Sequence, residues 1–375
     1  MVTRRRLEDR ILGSVVGASI GDAMGGAFEG ASAEYVRKRI GTDWIDDMYG
    51  YAGRLFGPYG VWWPRSPAGT GTDDTRMNHV FIESVIDHRG FIGPQLLAAE
   101  YIRRYRHAEG YYPKRVAEMA RRHFQDFFPV SCGCLGMECP ELPGVPVEVL
   151  RDRSFGYRAP SLIGLLSLAC AGTLYANDPV RAYRKAYELS YFDVGYAKEA
   201  CGLHAAAVSM AVGGIQDVEA ILRRLSRLDP FRLARGRFGQ SLHPVVRRAG
   251  QLARKAGDAR DLVLRLSREL ATRHIFDPID TLTVSLAANR FAPDNPRQAI
   301  LVGVNHRDVD AGGDLVRFRD NDCTGYVTGS LAGALSGARR LPADWVDQVL
   351  AANKKVYGID IEANVSRLVA VAHAG

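Results

Sequence analysis

Apolar side chains recur along this chain with the period of a helix nearly everywhere. Leu7, Ile11, Leu12, Val15, Val16 and Ile20 keep that spacing near the start, and between Met77 and Ile86 the residues Val80, Phe81, Ser84 and Val85 fall on one side. Ser32 to Ile40 reads as a short amphipathic helix, and Leu96 to Tyr105 and Pro113 to Phe124 as surface helices. From Pro160 onward helices dominate: Leu162 to Ala176, Pro179 to Ser190, Tyr196 to Val212, Val218 to Leu225, Pro244 to Lys255, Ala259 to Arg273, Pro278 to Arg290, Pro296 to Val304 and Tyr326 to Ala338. Between these, Met48 to Thr70 is predicted as an ordered loop rich in Gly, Pro, Tyr and Trp. Phe128 to Phe155, with Pro129, Pro140, Pro143 and Pro146, is predicted as irregular, and Asn305 to Arg319 as a loop. No period-two alternation carries weight, and no repeat or low-complexity linker separates two halves. The pattern predicts an all-α protein whose residues 1–375 form a single domain.

Two stripes of glycine run through this pattern. Gly13, Gly17 and Gly21 recur at every fourth position on a second face of the first helix, and Gly329, Gly333 and Gly337 repeat the arrangement late in the chain. Each glycine costs a helix about 1 kcal/mol relative to alanine. Such stripes therefore imply close backbone approach. The two helices are expected to pass near the centre of the fold and to cross each other. Both are flanked by charge, so membrane dimerisation through Gly-x-x-x-Gly is the wrong analogy.

The polar positions that interrupt the periodicity carry the chemistry. Gly71-Thr72-Asp73-Asp74-Thr75 follows a Gly- and Pro-rich run and opens the helix around Met77. One Thr or Asp there would serve as an N-cap, accepting an orphan N–H. Two adjacent carboxylates, however, repel unless a cation lies between them. Asp320-Asn321-Asp322-Cys323-Thr324-Gly325 sets a second carboxylate pair at the start of the late glycine-bearing helix. Two such helix starts, facing one another, would hold one or two divalent ions, and oxygen ligands suit Mg²⁺ or Mn²⁺ rather than zinc. A third stretch, Gly21 to Glu29, adds Asp22, which reads as a structural cap, and Glu29.

Together these stretches resemble the ADP-ribosylglycohydrolase family, of the dinitrogenase-reductase-activating type. That family pairs a GDA-x-G-x-x-x-E turn with T-D-D-T near the start, and D-x-D-[TC]-[TN]-G followed by G-x-x-x-G-A near the end. The resemblance covers roughly Leu7 to Val349. It implies a compact orthogonal helical bundle and a glycosidase-class hydrolase that removes ADP-ribose from a protein side chain or small acceptor. By motif position it places two Mg²⁺ or Mn²⁺ ions among Thr72, Asp73, Asp74, Asp320 and Asp322, with Asp322 bridging both and Cys323 at a metal-bound position. Glu29 would lie beside the substrate ribose, and Glu29 or Asp73 would move the proton. The physical logic is consistent: a ribose cis-diol can chelate a hard cation, and water held between cations becomes a usable nucleophile at neutral pH.

Three departures qualify the resemblance. Cys323 stands where many members carry Thr, and a thiol is a poor ligand for Mg²⁺, so either water replaces it there or the site favours Mn²⁺. The stretch from Asn305 to Arg319 is longer than the short run into the late motif that the family shows; it either reshapes substrate entry or is a passive surface loop. The usual G-N-G-x-x-M-R segment is represented only by Ser154 to Pro160, where Arg158 is either a phosphate contact or a surface residue. The last point keeps open a related enzyme acting on another ribosyl bond, in a nucleoside or nucleotide. A non-catalytic ADP-ribose-binding protein would show eroded metal motifs, and these are intact.

Composition narrows the partners. The formal charge of +7 suits a phosphate-bearing ligand, yet the charges are spread over many helices and no run interleaves them with aromatics, so no nucleic acid is expected. With 47% hydrophobic residues a substantial core is available, and no apolar run approaches the roughly 18 residues of a membrane span. Met1 to Arg6 passes directly into the charged run Leu7-Glu8-Asp9-Arg10, unlike a signal peptide, so a cytoplasmic monomer is expected. The six cysteines are too scattered for a disulfide framework, and Cys132, Cys134 and Cys139 read as loop thiols.

Overall fold

The two glycine-bearing helices pack backbone to backbone in the computed structural model, which describes residues 3–53, 59–153, 159–235 and 239–373. The first, α1 (Arg4–Gly26), is buried on every face over its second half, and the late helix (Asn321–Ser336, α16 below) is buried from Asn321 to Leu335. A Cβ on Gly13 would stand 2.4 Å from the Gly333 carbonyl oxygen, one on Gly17 2.4 Å from that of Gly329, and one on Gly21 2.0 Å from that of Gly325. The pairing is thus antiparallel. It continues one turn further than the sequence stripe, since a Cβ on Gly25 would meet the Asp322 amide nitrogen at 2.3 Å. The end of α1 is thereby pressed against the start of the late helix.

Around this pair the chain adds α2 (Ala33–Ile40), α3 (Asp73–Asp87), α4 (Pro94–Arg106), α5 (Ala117–Gln125), α6 (Phe127–Leu135) and α7 (Val147–Asp152). There follow α8 (Ile163–Ser167), α9 (Pro179–Leu189), α10 (Tyr196–Val212), α11 (Val218–Leu225), α12 (His243–Lys255), α13 (Ala259–Leu270), α14 (Pro278–Phe291) and α15 (Pro296–Val304). A hairpin of β1 (Arg307–Val309) and β2 (Leu315–Phe318) then leads into α16, and α17 (Ala343–Tyr357) and α18 (Ile361–Ala372) close the chain. The fold is all-α in character, as the periodicity predicts. One large apolar cluster draws on α1, α3, α10, α14, α16, α17 and α18. Among the described residues no helix is long and apolar enough to cross a membrane.

Several predicted segments differ. Asn305 to Arg319 is not a loop: β1 and β2 pair antiparallel, with an irregularity between Asp308 and Val309, and Ser32 forms a bridge to Arg317. Three- and four-residue strands give too short an alternation to be read, and these are held by tertiary contacts. Leu162 to Ala176 is not one helix but α8, a turn, and a 3-10 segment Ala171–Tyr175, in which the Thr173 hydroxyl bonds back to the Cys170 carbonyl. Phe128 to Phe155 contains α6 and α7, because Pro129 lies in the first turn of α6 and Pro146 is the N-cap of α7, both positions where proline is tolerated. Cys132 and Cys134 are therefore helical rather than loop thiols. The resemblance stopped near Val349, yet α17 and α18 belong to the same core.

Candidate metal centre and substrate cleft

Asp22, in the penultimate turn of α1, fixes the start of α3. Both its carboxylate oxygens accept from the Thr72 amide, at 3.0 and 2.9 Å, and the Thr72 hydroxyl donates to it at 2.7 Å. The Thr75 amide and hydroxyl donate to its other side at 3.1 and 2.6 Å. This is the structural cap expected of Asp22, supplied from a neighbouring helix. From the opposite side α17 holds the approach to α3: Asn353 accepts from the Gly71 amide at 3.2 Å, and the Tyr357 hydroxyl donates to the Gly71 carbonyl at 2.7 Å. Nothing in the local sequence marks Asn353 or Tyr357 for this task. A Cβ at Gly71 would collide with Thr75 and Asp22 at 2.4 and 2.6 Å, so only glycine allows the turn.

With α3 and α16 fixed in this way, their acidic first turns face each other. Ligand atoms of Asp74, Asp322 and Cys323 lie within 4.8 Å of one another, and so do those of Glu29, Asp320 and Asp322. Asp322 belongs to both groups. Glu29, half-buried, belongs to the second group. Asp73 lines the same cleft but stands outside both groups. Thr72 is the N-cap of α3 and directs its hydroxyl hydrogen to Asp22. Cys323 points its thiol at Asp74, with Sγ 3.7 Å from Oδ1. Arg158 lies outside the described residues.

The residues fit a divalent cation. Asp74 Oδ2 and Asp320 Oδ2 are buried without a hydrogen-bond partner. Burial holds the carboxyls of Asp74, Asp320 and Asp322 well above the ordinary range, and their mutual repulsion, with Glu29 also acting on Asp322, pushes the same way. Burial likewise pushes the Cys323 thiol up. Carboxylates packed this closely and away from water stay ionised only with a cation among them. Burial raises Asp73 to about 7, and the nearby positive charge of Arg76 works against that rise.

Glu29, Asp73, Asp320, Asp322 and Cys323 line the floor of a cleft of about 840 Å³. Its walls include an apolar set, Leu162, Ile163 and Leu166 around α8, and a second set of Tyr196, His274, Phe276 and Asp277. Beyond Ala159 and Pro160, which line the cleft at the end of the Ser154 to Pro160 stretch, the sequence singled out no wall residue, because an aromatic or Asp at such positions is as common in a core or a cap as in a cleft.

The sequence pattern of the ADP-ribosylglycohydrolase family matches residues 3–374, and the chain belongs to that family. Among solved structures, it is similar to one described as an ADP-ribosylglycohydrolase-related protein complex. The identity is 23%, the alignment spans 98% of this chain and 99% of that one, and the TM-score is 0.60. That likeness shows the helical fold. A comparison with curated proteins gives no match.

Proposed function

We propose that the chain is a divalent-metal-dependent hydrolase that cleaves the glycosidic bond between ADP-ribose and a protein side chain or small acceptor, acting as a cytoplasmic monomer. Family membership supports a glycohydrolase. The observation that carries the metal dependence is the pair of buried ligand groups sharing Asp322, with orphaned oxygens on Asp74 and Asp320, at the floor of a substrate-sized cleft.

In this reading Asp74, Asp320, Asp322, Glu29 and Cys323 hold one or two Mg²⁺ or Mn²⁺ ions, with Thr72 contributing through its place at the α3 N-terminus. Such ions, when bound, supply Lewis acidity and lower the pKa of water. The remaining work falls to the chain. Asp73 faces the cleft beside the ligand groups but outside them, which suits a group that takes a proton from water and returns one to the leaving atom. Glu29, beside the floor, is the alternative base and orients the ribose. Leu162, Ile163 and Leu166 exclude water from one side, so that charge developing on the ribosyl carbon is met by fixed carboxylates rather than solvent.

One observation favours a second reading. Among the described residues that line the cleft there is no Lys or Arg to meet a diphosphate, which suits a nucleoside or another ribosyl compound with a smaller charge. N-linked and O-linked ADP-ribosyl peptides, free ADP-ribose as competitor and a nucleoside panel, each with Mg²⁺, Mn²⁺ and after chelation, separate the readings. Turnover of ADP-ribosyl peptides that stops on chelation is the expected result. Turnover of nucleosides alone moves the assignment, and full activity after chelation overturns it.

A further inference from the structure

Arg319, immediately before the acidic motif of α16, occupies a buried position with 3% exposure. Its guanidinium is divided among three elements. Nε donates to Asp280 of α14 at 3.1 Å, one terminal nitrogen to Asp308 of β1 at 2.7 Å, and the other to the Arg273 carbonyl at 2.9 Å. Its own carbonyl accepts from the Gly30 amide at 3.4 Å, directly after Glu29. The adjacent Phe318 amide donates to the Ala31 carbonyl at 2.9 Å. One residue therefore touches the turn bearing Glu29, the strand leading to Asp320, and the segment that begins at Arg273.

That segment is part of the wall of the cleft. His274, Phe276 and Asp277 line it, and the His274 and Phe276 rings lie 5.3 Å apart. Asp277 is fixed in turn, pairing with Arg273 at 3.0 Å and accepting from the Ile279 amide at 2.9 Å as the cap of α14. Between Arg273 and Asp277 the backbone is a turn rather than a helix, so its placement depends on these few bonds. A planar guanidinium with donors in a fixed fork suits holding three partners at set spacing, which a lysine cannot do.

We infer that Arg319 is a positioning residue, which with Asp308 of the hairpin sets the distance between the carboxylate floor and the His274–Phe276 wall and so determines which substrates fit. The hairpin is then a brace for the cleft rather than a passive surface loop. The inference rests on the hydrolase reading above for its kinetic consequence, but the brace itself can be tested without turnover.

Three full-length variants make the test: Asp308→Ala removes one arm of the brace at a side chain that is only partly buried, Asp308→Asn keeps an acceptor for Arg319, and Arg317→Ala removes only the outer partner of Asp308. Hydrogen exchange of the peptide covering 271–280 reads the brace directly. Asp308→Ala should speed it by about 10-fold, as expected for a locally released segment, while the other two leave it near wild type. Steady-state kinetics on the best ADP-ribosyl peptide should show KM raised by about 10-fold with kcat changed less than about 2-fold, within the range seen when supporting partners of a site are removed. Mn²⁺ binding should be unchanged. Unaltered exchange in Asp308→Ala overturns the brace whether or not the protein turns over any substrate. Faster exchange with unchanged KM, or a loss confined to kcat or to Mn²⁺ binding, overturns the role in substrate fit. Absence of turnover in the wild type fails the hydrolase reading alone, and the exchange result still decides the brace.

Discussion

Asp322 accepts from the Cys323 amide at 3.0 Å, shares a hydrogen bond with Asp320, and otherwise faces other carboxylates. Removing it should leave the packing of α16 intact, since that helix is held by backbone contacts at Gly325, Gly329 and Gly333 rather than by the Asp322 carboxylate. Asp322→Ala is expected to reduce turnover to background and lower bound-metal stoichiometry, while the melting temperature of the metal-free protein does not fall. A metal-free protein that unfolds would show that the carboxylate is structural. At the neighbouring position Cys323→Thr exchanges a soft donor for a hard one beside Asp74, so the Mg²⁺ concentration needed for activation should drop relative to that of Mn²⁺. An unchanged ratio in a metal titration would place the thiol outside the coordination sphere. That Asp74, Asp320 and Asp322 would come together was legible in the sequence because two acidic pairs at helix starts make poor sense as caps alone. Asp22 was legible as a cap, though not as one donated from another helix. Arg319, His274, Phe276 and Tyr196 were not legible, since their roles come from what lies opposite them.

At the level of elements, the glycine stripes were the most informative feature of the sequence. They announced that two helices some 300 positions apart, by the numbering, would meet, and the structure places Gly333 so that a Cβ would stand 1.8 Å from the Gly13 carbonyl oxygen. The same contact gives a test. Overpacking usually costs about 1–3 kcal/mol, and here the clash is with backbone, which cannot rotate away. Gly333→Leu should therefore cost at least that much and shift the denaturation midpoint accordingly. A midpoint equal to wild type would mean that the helices separate there without penalty. Gly250, whose added Cβ would meet only side-chain atoms at 3.3 Å and beyond, is the control. The hairpin shows the opposite case. Its strands are too short for periodicity to register, and what stabilises them, Arg319 and the bridge to Ser32, is remote in sequence.

For the whole molecule, the buried titratable groups divide into two sets with opposite effects on stability. His79 and His204 are pushed down to about 4, and His306 to about 3, chiefly by burial. The unfolded chain binds more protons on them below their ordinary value near 6.5, so they cost stability as pH falls. The site carboxyls behave the other way: Asp73 is raised to about 7, and Asp74, Asp320 and Asp322 are also raised, so the metal-free fold holds protons that the unfolded chain has lost. Their cost is small in acid and grows as pH rises toward and past 7. Divalent ions remove that second cost by replacing the protons, and they do so most effectively where the protons are already leaving. The gap in melting temperature between Mn²⁺-loaded and chelated protein should therefore widen from pH 5.5 to pH 7.5, a window that brackets the value of about 7 to which Asp73 is raised. Metal binding measured in that window, in buffers of different ionisation heat, should release protons, with fewer released at the upper end. The histidine set is common to both forms and cancels from the difference. A gap that narrows with rising pH, or binding that releases no protons, would mean that the acidic groups of α3 and α16 do not share their charge with a cation.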